Sequence, residues 1–204
     1  MTIRFWDKIA NKYSKTPIKN EEAYERKIEQ TKALLNSNSK MLEVGCGTGS
    51  TAIRLAPFAG EVLATDFSEK MIHIAEQKLK ESSVNNLRFQ CISIEDIQVP
   101  NESLDLVSAQ SLLHLVSDRE LVIEKLHRTL KPGGYFVSST ACVGDFLGFI
   151  KWIAPIGKAF GFLPLLKVFK RKELEQNIVD GGFKIVDIWQ PNKSEAVFIV
   201  AQKV

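Results

Sequence analysis

Three alternate glycines directly follow a short apolar strand in the stretch Leu42-Glu43-Val44-Gly45-Cys46-Gly47-Thr48-Gly49-Ser50. Glycine permits backbone angles that a Cβ atom would forbid, and it lets a ligand come into contact with the main chain. Turns of this kind are found where a strand passes into a helix at a ligand site. The stretch therefore predicts a strand over 40–44, a nucleotide-sized binding turn, and a helix from about Ser50 to Ala56.

The spacing of these glycines differs from the dinucleotide-binding fingerprint GxGxxG. Counted from Gly45, the third glycine of that fingerprint would fall at Ser50, whereas this chain has it at Gly49. Glu43 is a second difference, because an acid at the end of the first strand repels phosphate and attracts a cationic group. The turn thus favours a ligand with a positive end, and an NAD-dependent oxidoreductase is the weaker alternative.

A second acid, Asp66, ends the next apolar run at 62–65. A doubly wound sheet places at this point the carboxylate that binds the hydroxyls of a ribose. Ser68 is a suitable N-cap for the helix that follows, so Phe67 and Met71 can present apolar surface beside the same pocket. Adenosine carrying a positively charged tail fits this combination.

These motifs resemble those of the class I S-adenosylmethionine-dependent methyltransferases, in particular the small-molecule enzymes of type 11. Their first motif, ExGxGxG, is matched here at 43–49, and Asp66 matches their ribose-binding acid. The sequence LDLV at 104–107 matches their fourth strand, and LKPGG at 130–134 matches the turn before their fifth. The resemblance implies S-adenosyl-L-methionine as cofactor, S-adenosyl-L-homocysteine as product, and in-line transfer of a methyl group to a small molecule.

The resemblance also implies where the cofactor binds. Tyr13 matches a tyrosine that covers the cofactor in many such enzymes, although packing of an amphipathic helix explains it equally well. The acid that usually binds the adenine amino group is replaced by Ser93, so this contact is assigned to the neighbourhood 93–95. Cys46 supplies a small side chain beside the ligand. The complete predicted site is Tyr13, Glu43, Gly45, Cys46, Gly47, Gly49, Asp66, Phe67, Met71, Ser93, Ile94, Glu95, Gln110 and Ser111.

His114 is the candidate catalytic residue. It follows the fourth strand at the expected pocket edge, and histidine titrates near neutrality, so it is suited to accept a proton from a hydroxyl or an acidic carbon. Packing within its turn is the alternative role. His73 and His127 lie in helical patterns away from strand ends, and the chain shows no cluster with metal-ligand spacing, so no metal site is expected.

The order of apolar segments predicts an α/β fold. Helices over 3–13 and 21–36 precede strands near 40–44, 61–65, 87–92, 104–109 and 134–140, and a final hairpin pairs 183–189 with 196–202. We expect a Rossmann-like, doubly wound sheet of seven strands, mostly parallel with an antiparallel last strand. The 204 residues are expected to form one domain (1–204), with a helical cap (1–36) and a helical, apolar and basic insert (142–170) between the fifth strand and the following helix.

The insert is the part of the sequence that indicates the kind of substrate. Large apolar side chains are frequent there, and 146–172 contains six basic residues and no acid. Three roles are open: a lid over an apolar substrate pocket, contact with an anionic membrane, or a dimer interface. We expect a hydrophobic or amphipathic small-molecule substrate, no nucleic acid, and a cytoplasmic location with peripheral membrane contact as an alternative. A cofactor-binding protein without catalytic activity is the second alternative function.

Overall fold

The structure is a computed structural model that describes residues 3–146 and 166–204. A seven-stranded sheet forms its centre, and its strands are β1 (Lys40–Val44), β2 (Glu61–Asp66), β3 (Leu87–Cys91), β4 (Leu104–Gln110), β5 (Leu130–Thr140), β6 (Phe183–Trp189) and β7 (Val197–Lys203). The α-helices of the described residues are α1 (Ile3–Lys15), α2 (Glu21–Lys32), α3 (Ser50–Leu55), α4 (Glu69–Lys80), α5 (Arg119–Thr129) and α6 (Arg171–Asp180).

The strand order is β3-β2-β1-β4-β5-β7-β6. Strands β1 to β5 run parallel, whereas β7 lies antiparallel to both of its neighbours, β5 and β6. The predicted doubly wound sheet with an antiparallel last strand is therefore confirmed. The winding direction changes between β1 and β4, and in open sheets of this kind the ligand crevice lies at that point, beyond the carboxyl ends of the strands.

Strand β1 shows why this sequence forms a central strand. Four of its five residues are buried, and successive side chains point to opposite faces of the sheet. Leu42 and Val44 belong to the apolar cluster on one face, and Met41 belongs to the cluster on the other. Because both faces carry a core, β1 is fixed in position, and the glycine turn that follows it starts from a rigid element.

Two predicted boundaries were wrong. Helix α2 ends at Lys32 rather than at Asn36, because Leu34 and Leu35 donate to carbonyls three residues back and so close tight turns instead of helix. Strand β5 begins at Leu130 rather than at 134. The register against β4 jumps from Leu130 to Tyr135, so the LKPGG segment bulges out of a strand that has already begun.

The two ends of the predicted insert are held together beside β4. The Gly144 amide donates to the Phe169 carbonyl (2.9 Å), and the Lys167 amide donates to the carbonyl of His114 (2.8 Å). Most of the insert, 147–165, lies outside the described residues, and so does the lid, membrane or dimer contact predicted for it. Within 3–146 and 166–204, no helix combines the length and the apolar character needed to cross a bilayer.

Candidate functional site

The glycine turn is built on left-handed backbone angles. Gly45, Gly47 and Gly49 have φ values of 68°, 54° and 74°. A Cβ atom on Gly45 would lie 2.8 Å from Leu112 Cδ1, and one on Gly49 would lie 2.5 Å from Phe89 Cζ. A Cβ atom on Gly47 would meet nothing nearer than Tyr13, at 3.7 Å. Packing therefore requires the first and third glycines, whereas the second leaves its backbone open toward Tyr13.

Asp66 joins the glycine turn to helix α4. One carboxylate oxygen accepts from the Gly47 amide and the other from the Ser68 amide, each at 2.9 Å. Burial raises the pKa of Asp66, and the amide hydrogen bonds oppose that rise. The side chain is 8% exposed. Asp66 thus holds the shape of the turn in addition to any bond that it makes to a ligand.

Glu43 is a buried acid at the end of β1. Its side chain is 1% exposed, and its Oε2 atom has no hydrogen-bond partner among the described residues. Burial, followed by the negative charge of Asp66, raises its pKa to about 8. Burying a carboxyl group without a hydrogen-bond partner costs free energy. Binding of a cation or a hydrogen-bond donor beside Glu43 is therefore favourable.

Two adjoining cavities lie along the carboxyl ends of the strands. The first, of about 360 Å³, is lined by Trp6, Tyr13, Gly45, Gly47, Asp66, Phe67, Met71, Gln110, Ser111, Leu112, His114, Leu115 and Leu166. The second, of about 280 Å³, is lined by Tyr13, Ile18, Tyr24, Lys27, Ile28, Thr31, Glu43, Gly45, Cys46, Gly47, Thr51, Gln110, Ser111 and Ser139. Five residues line both. We call the first the Asp66 cavity and the second the Glu43 cavity.

Helix α1 covers the junction of these cavities with Tyr13 and Trp6. The two rings pack edge to face, with centroids 6.3 Å apart. The helix is attached to α4 by Asp7, whose carboxylate accepts from the Ser68 hydroxyl at 2.6 Å. Burial, followed by the charges of Asp66 and Glu43, raises the pKa of Tyr13, so its hydroxyl is neutral near pH 7. Tyr13 is nevertheless 48% exposed and forms a wall of the crevice rather than part of the core.

Lys27 also lines the Glu43 cavity, and it was not among the predicted site residues. It extends from α2 and donates to the Ser139 hydroxyl, at the end of β5, at 2.8 Å. Burial lowers its pKa. The two residues are 112 positions apart in the chain, and in the sequence Lys27 is one of several charges on a polar helix. Only the tertiary fold brings them together.

His114 lines the Asp66 cavity beside Leu115 and Leu166. Its Nδ1 atom is buried and has no partner within the described parts of the chain. Burial lowers its pKa to about 4, so the imidazole is neutral near pH 7. The ring is therefore placed at the pocket edge, as expected, but burial makes it a weak proton acceptor.

The predicted adenine neighbourhood lies apart from the two cavities. Ser93 bonds to the Asp96 carboxylate at 2.7 Å, Ile94 is buried in the core, and Glu95 is exposed. None of these three lines either cavity, whereas Phe67, Met71 and Leu112 do. Within residues 3–146 and 166–204, no three His, Cys, Asp or Glu side chains come close enough together to hold a metal ion.

Comparison with known proteins shows the family. Residues 42–138 match the family model described as "Methyltransferase domain". A demethylmenaquinone methyltransferase from Geobacillus sp. (strain WCH70) is 32% identical over 174 residues, which are 76% of this chain and 74% of that protein. The chain belongs to the class I S-adenosylmethionine-dependent methyltransferases. S-adenosyl-L-methionine is the cofactor of that family, so the NAD alternative is not supported.

A further relative and a protein of the same fold differ in the substrates that their names give. A malonyl-[acyl-carrier protein] O-methyltransferase from Paenibacillus sp. (strain JDR-2) is 29% identical over 181 residues, which are 82% of this chain but only 66% of that protein. Geranyl diphosphate C-methyltransferase from Streptomyces coelicolor A3(2) shares the fold, with a TM-score of 0.74 and 16% identity over 90% of this chain and 79% of that one. Their names give acceptors of unlike chemistry, a malonyl-[acyl-carrier protein] and geranyl diphosphate, so family membership does not identify the acceptor.

Proposed function

We propose that this protein transfers a methyl group from S-adenosyl-L-methionine to a small molecule, and that the cofactor lies across both cavities. Asp66 would hold the ribose, with Phe67, Met71 and Leu112 against the adenine ring. Glu43 would bind the ammonium group at the other end. Tyr13, Gly47, Gln110 and Ser111 line both cavities, so the sulfonium centre would lie among them.

The observation that carries this proposal is the buried Oε2 atom of Glu43. Among residues 3–146 and 166–204 it has no hydrogen-bond partner, and it lies in a cavity that also contains open glycine backbone. A carboxylate there suits the positive end of the cofactor. A pyrophosphate would be repelled from it. The distribution of acids, one at the end of β1 and one at the end of β2, therefore fits an adenosine with a cationic tail.

The bound cofactor supplies a methyl group that is already activated, so positioning and exclusion of water can provide most of the rate acceleration. Trp6 and Tyr13 would exclude water from above, and Leu112 and Leu115 would do so from the side. Because its pKa is low, His114 would act through its shape or a hydrogen bond at the pocket edge more readily than as a base. Its role as proton acceptor stays a prediction.

The acceptor is proposed to be a hydrophobic or amphipathic small molecule. The named relatives act on a malonyl thioester, a quinone precursor and an isoprenoid diphosphate. The last two combine a long apolar part with a polar or charged part. The apolar surface of the Asp66 cavity around Leu112, Leu115 and Leu166 is consistent with such an acceptor.

Methyl transfer itself is tested with cofactor labelled in its methyl group. The purified protein is incubated with labelled S-adenosyl-L-methionine and a panel of hydroquinones, acyl thioesters and prenyl phosphates, and label is counted in the organic extract. Turnover with one class is expected. Tight cofactor binding without transfer to any class would instead support the non-catalytic, regulatory alternative.

A further inference from the structure

Lys27 places a cation on the β5 side of the Glu43 cavity. The strands that would hold the cofactor are β2, with Asp66, and β1, with Glu43 and the glycine turn. Ser139, the partner of Lys27, is the last residue but one of β5, which lies beyond β4 in the sheet order. Neighbouring strands are about 4.8 Å apart, so β5 lies roughly 10 Å from β1. Lys27 is therefore held two strands away from the strand that carries Glu43.

The ammonium group of Lys27 is only partly satisfied. An ammonium has three donors, and among the described residues the structure assigns one bond, to Ser139. No described carboxylate lies within 4.0 Å of it. Glu195 is the acid whose charge acts on Lys27, and that carboxylate is already bound by the side-chain amides of Asn20 and Asn192. Two donors are thus left to face the cavity.

The surroundings of Lys27 can hold an anion. Ser139 is 2% exposed and is fixed in the sheet by its pairing with Gln110 and Phe198. Tyr24 and Thr31 also line this cavity. A half-buried ammonium has lost part of its hydration, and an anion that binds there restores the lost interaction through a charge-assisted hydrogen bond.

We propose that Lys27 and Ser139 bind an anionic group of the methyl acceptor, a carboxylate or a phosphate, beside the reacting centre. This rests on the proposed function and narrows its substrate class from amphipathic to acidic molecules. The other source of an anion is the carboxylate of the cofactor itself. Lys27 is held by Ser139 on β5, two strands from Glu43 on β1, and this separation favours the acceptor.

The test compares the wild type with Lys27→Met, which keeps most of the apolar stem and removes the charge. Calorimetry measures first S-adenosyl-L-homocysteine and its decarboxylated form, then octanoate, octanol and inorganic phosphate added to the protein loaded with S-adenosyl-L-homocysteine. We expect the loaded wild type to bind octanoate or phosphate, octanoate about tenfold more tightly than octanol. Lys27→Met should remove that preference and leave the affinity for S-adenosyl-L-homocysteine within about twofold.

Two variants control for folding and for net charge. Lys32→Met removes a lysine from the same helix that pairs with Glu29 outside the cavity, and it should behave as the wild type. Lys27→Arg keeps the charge and should retain the preference for octanoate over octanol. If Lys27→Met does not fold, Ser139→Ala replaces it and should weaken the binding of both anions.

Three outcomes would overturn the proposal. Weaker binding of S-adenosyl-L-homocysteine by Lys27→Met, with its decarboxylated form unaffected, would assign Lys27 to the cofactor. Equal binding of both anions by wild type and variant, or no binding of either anion to the loaded wild type, would show that no anion site is present. Failure of the wild type to bind S-adenosyl-L-homocysteine at all would refute the proposed function and this inference with it, whereas the first two outcomes leave the proposed function intact.

Discussion

The two ends of the crevice are built in different ways. At the end formed by β1 and β2, the functional groups lie within 24 consecutive residues, 43–66, and the backbone of the glycine turn supplies much of the surface. At the end formed by β4 and β5, Lys27, Gln110 and Ser139 come from three distant parts of the chain. The proposed cofactor site is thus largely a local motif, whereas the proposed acceptor site is assembled by the tertiary fold.

The largest effect is expected from a steric clash in the glycine turn at the cofactor end of the crevice. Gly49→Ala would place a Cβ atom 2.5 Å from Phe89 and 2.8 Å from the Ala75 Cβ, at a φ of 74°. Overpacking and the left-handed backbone together should lower the free energy of unfolding by about 2–5 kcal/mol, measured by urea denaturation. Gly133→Ala is the matched control, because its φ is 78° but the nearest atom is 3.9 Å away. Equal losses in both variants would show that Gly49 is not tightly packed.

The next largest effect is expected from a change at Asp66, which should weaken cofactor binding. Asp66→Ala removes the acceptor of the Gly47 and Ser68 amides as well as the proposed ribose contact. We expect the affinity for S-adenosyl-L-homocysteine to fall by about 100-fold, close to 2.8 kcal/mol, in calorimetry. Asp66→Asn keeps an oxygen for one of the two amides and should lie between the variant and the wild type. Unchanged affinity in Asp66→Ala would mean that the ribose is held elsewhere.

The pKa of Glu43 makes cofactor binding depend on pH. The folded pKa is raised from 4.5 to about 8, so the cofactor-free protein holds a proton there that the unfolded chain releases above about pH 4.5. This group therefore stabilises the fold less as pH rises from about 4.5 to 8. A bound ammonium expels the proton, so affinity for S-adenosyl-L-homocysteine should rise by up to about tenfold per pH unit below pH 8.

The test of this dependence is Glu43→Gln, followed by calorimetry between pH 6 and pH 8.5. The variant should bind S-adenosyl-L-homocysteine about tenfold more weakly at pH 8 and lose most of the pH dependence. A variant with the full wild-type slope would show that Glu43 does not take up or release the proton.

The smallest effect is expected at His114. Although the imidazole lines the Asp66 cavity, its pKa of about 4 leaves it neutral and without a charge to offer the cofactor. His114→Ala should change the affinity for S-adenosyl-L-homocysteine by less than about threefold. Losses as large as those of Asp66→Ala would place the cofactor nearer to β4 than we propose. A proton acceptor would show itself in the pH profile of turnover, not in binding.

The sequence predicted the local features well. The strand before the glycine turn, the turn itself and the antiparallel last strand were predicted correctly, and the first two depend on residues close together in the chain. Lys27 could not be identified as a cavity residue from the sequence. It is 112 positions from Ser139 in the chain, and the two meet only when α2 packs on the sheet. The adenine contact at 93–95 is the least supported part of the predicted site, because similarity of spacing does not show which side chains face a cavity.

The most direct test of the account is calorimetric titration of the wild-type protein with S-adenosyl-L-methionine, S-adenosyl-L-homocysteine and NAD in parallel. The arrangement of Glu43 and Asp66 predicts that the first two bind at one site per chain and that NAD does not compete with them. Binding of NAD in place of the adenosyl ligands, or an affinity for S-adenosyl-L-homocysteine that survives both Glu43→Gln and Asp66→Ala, would contradict it.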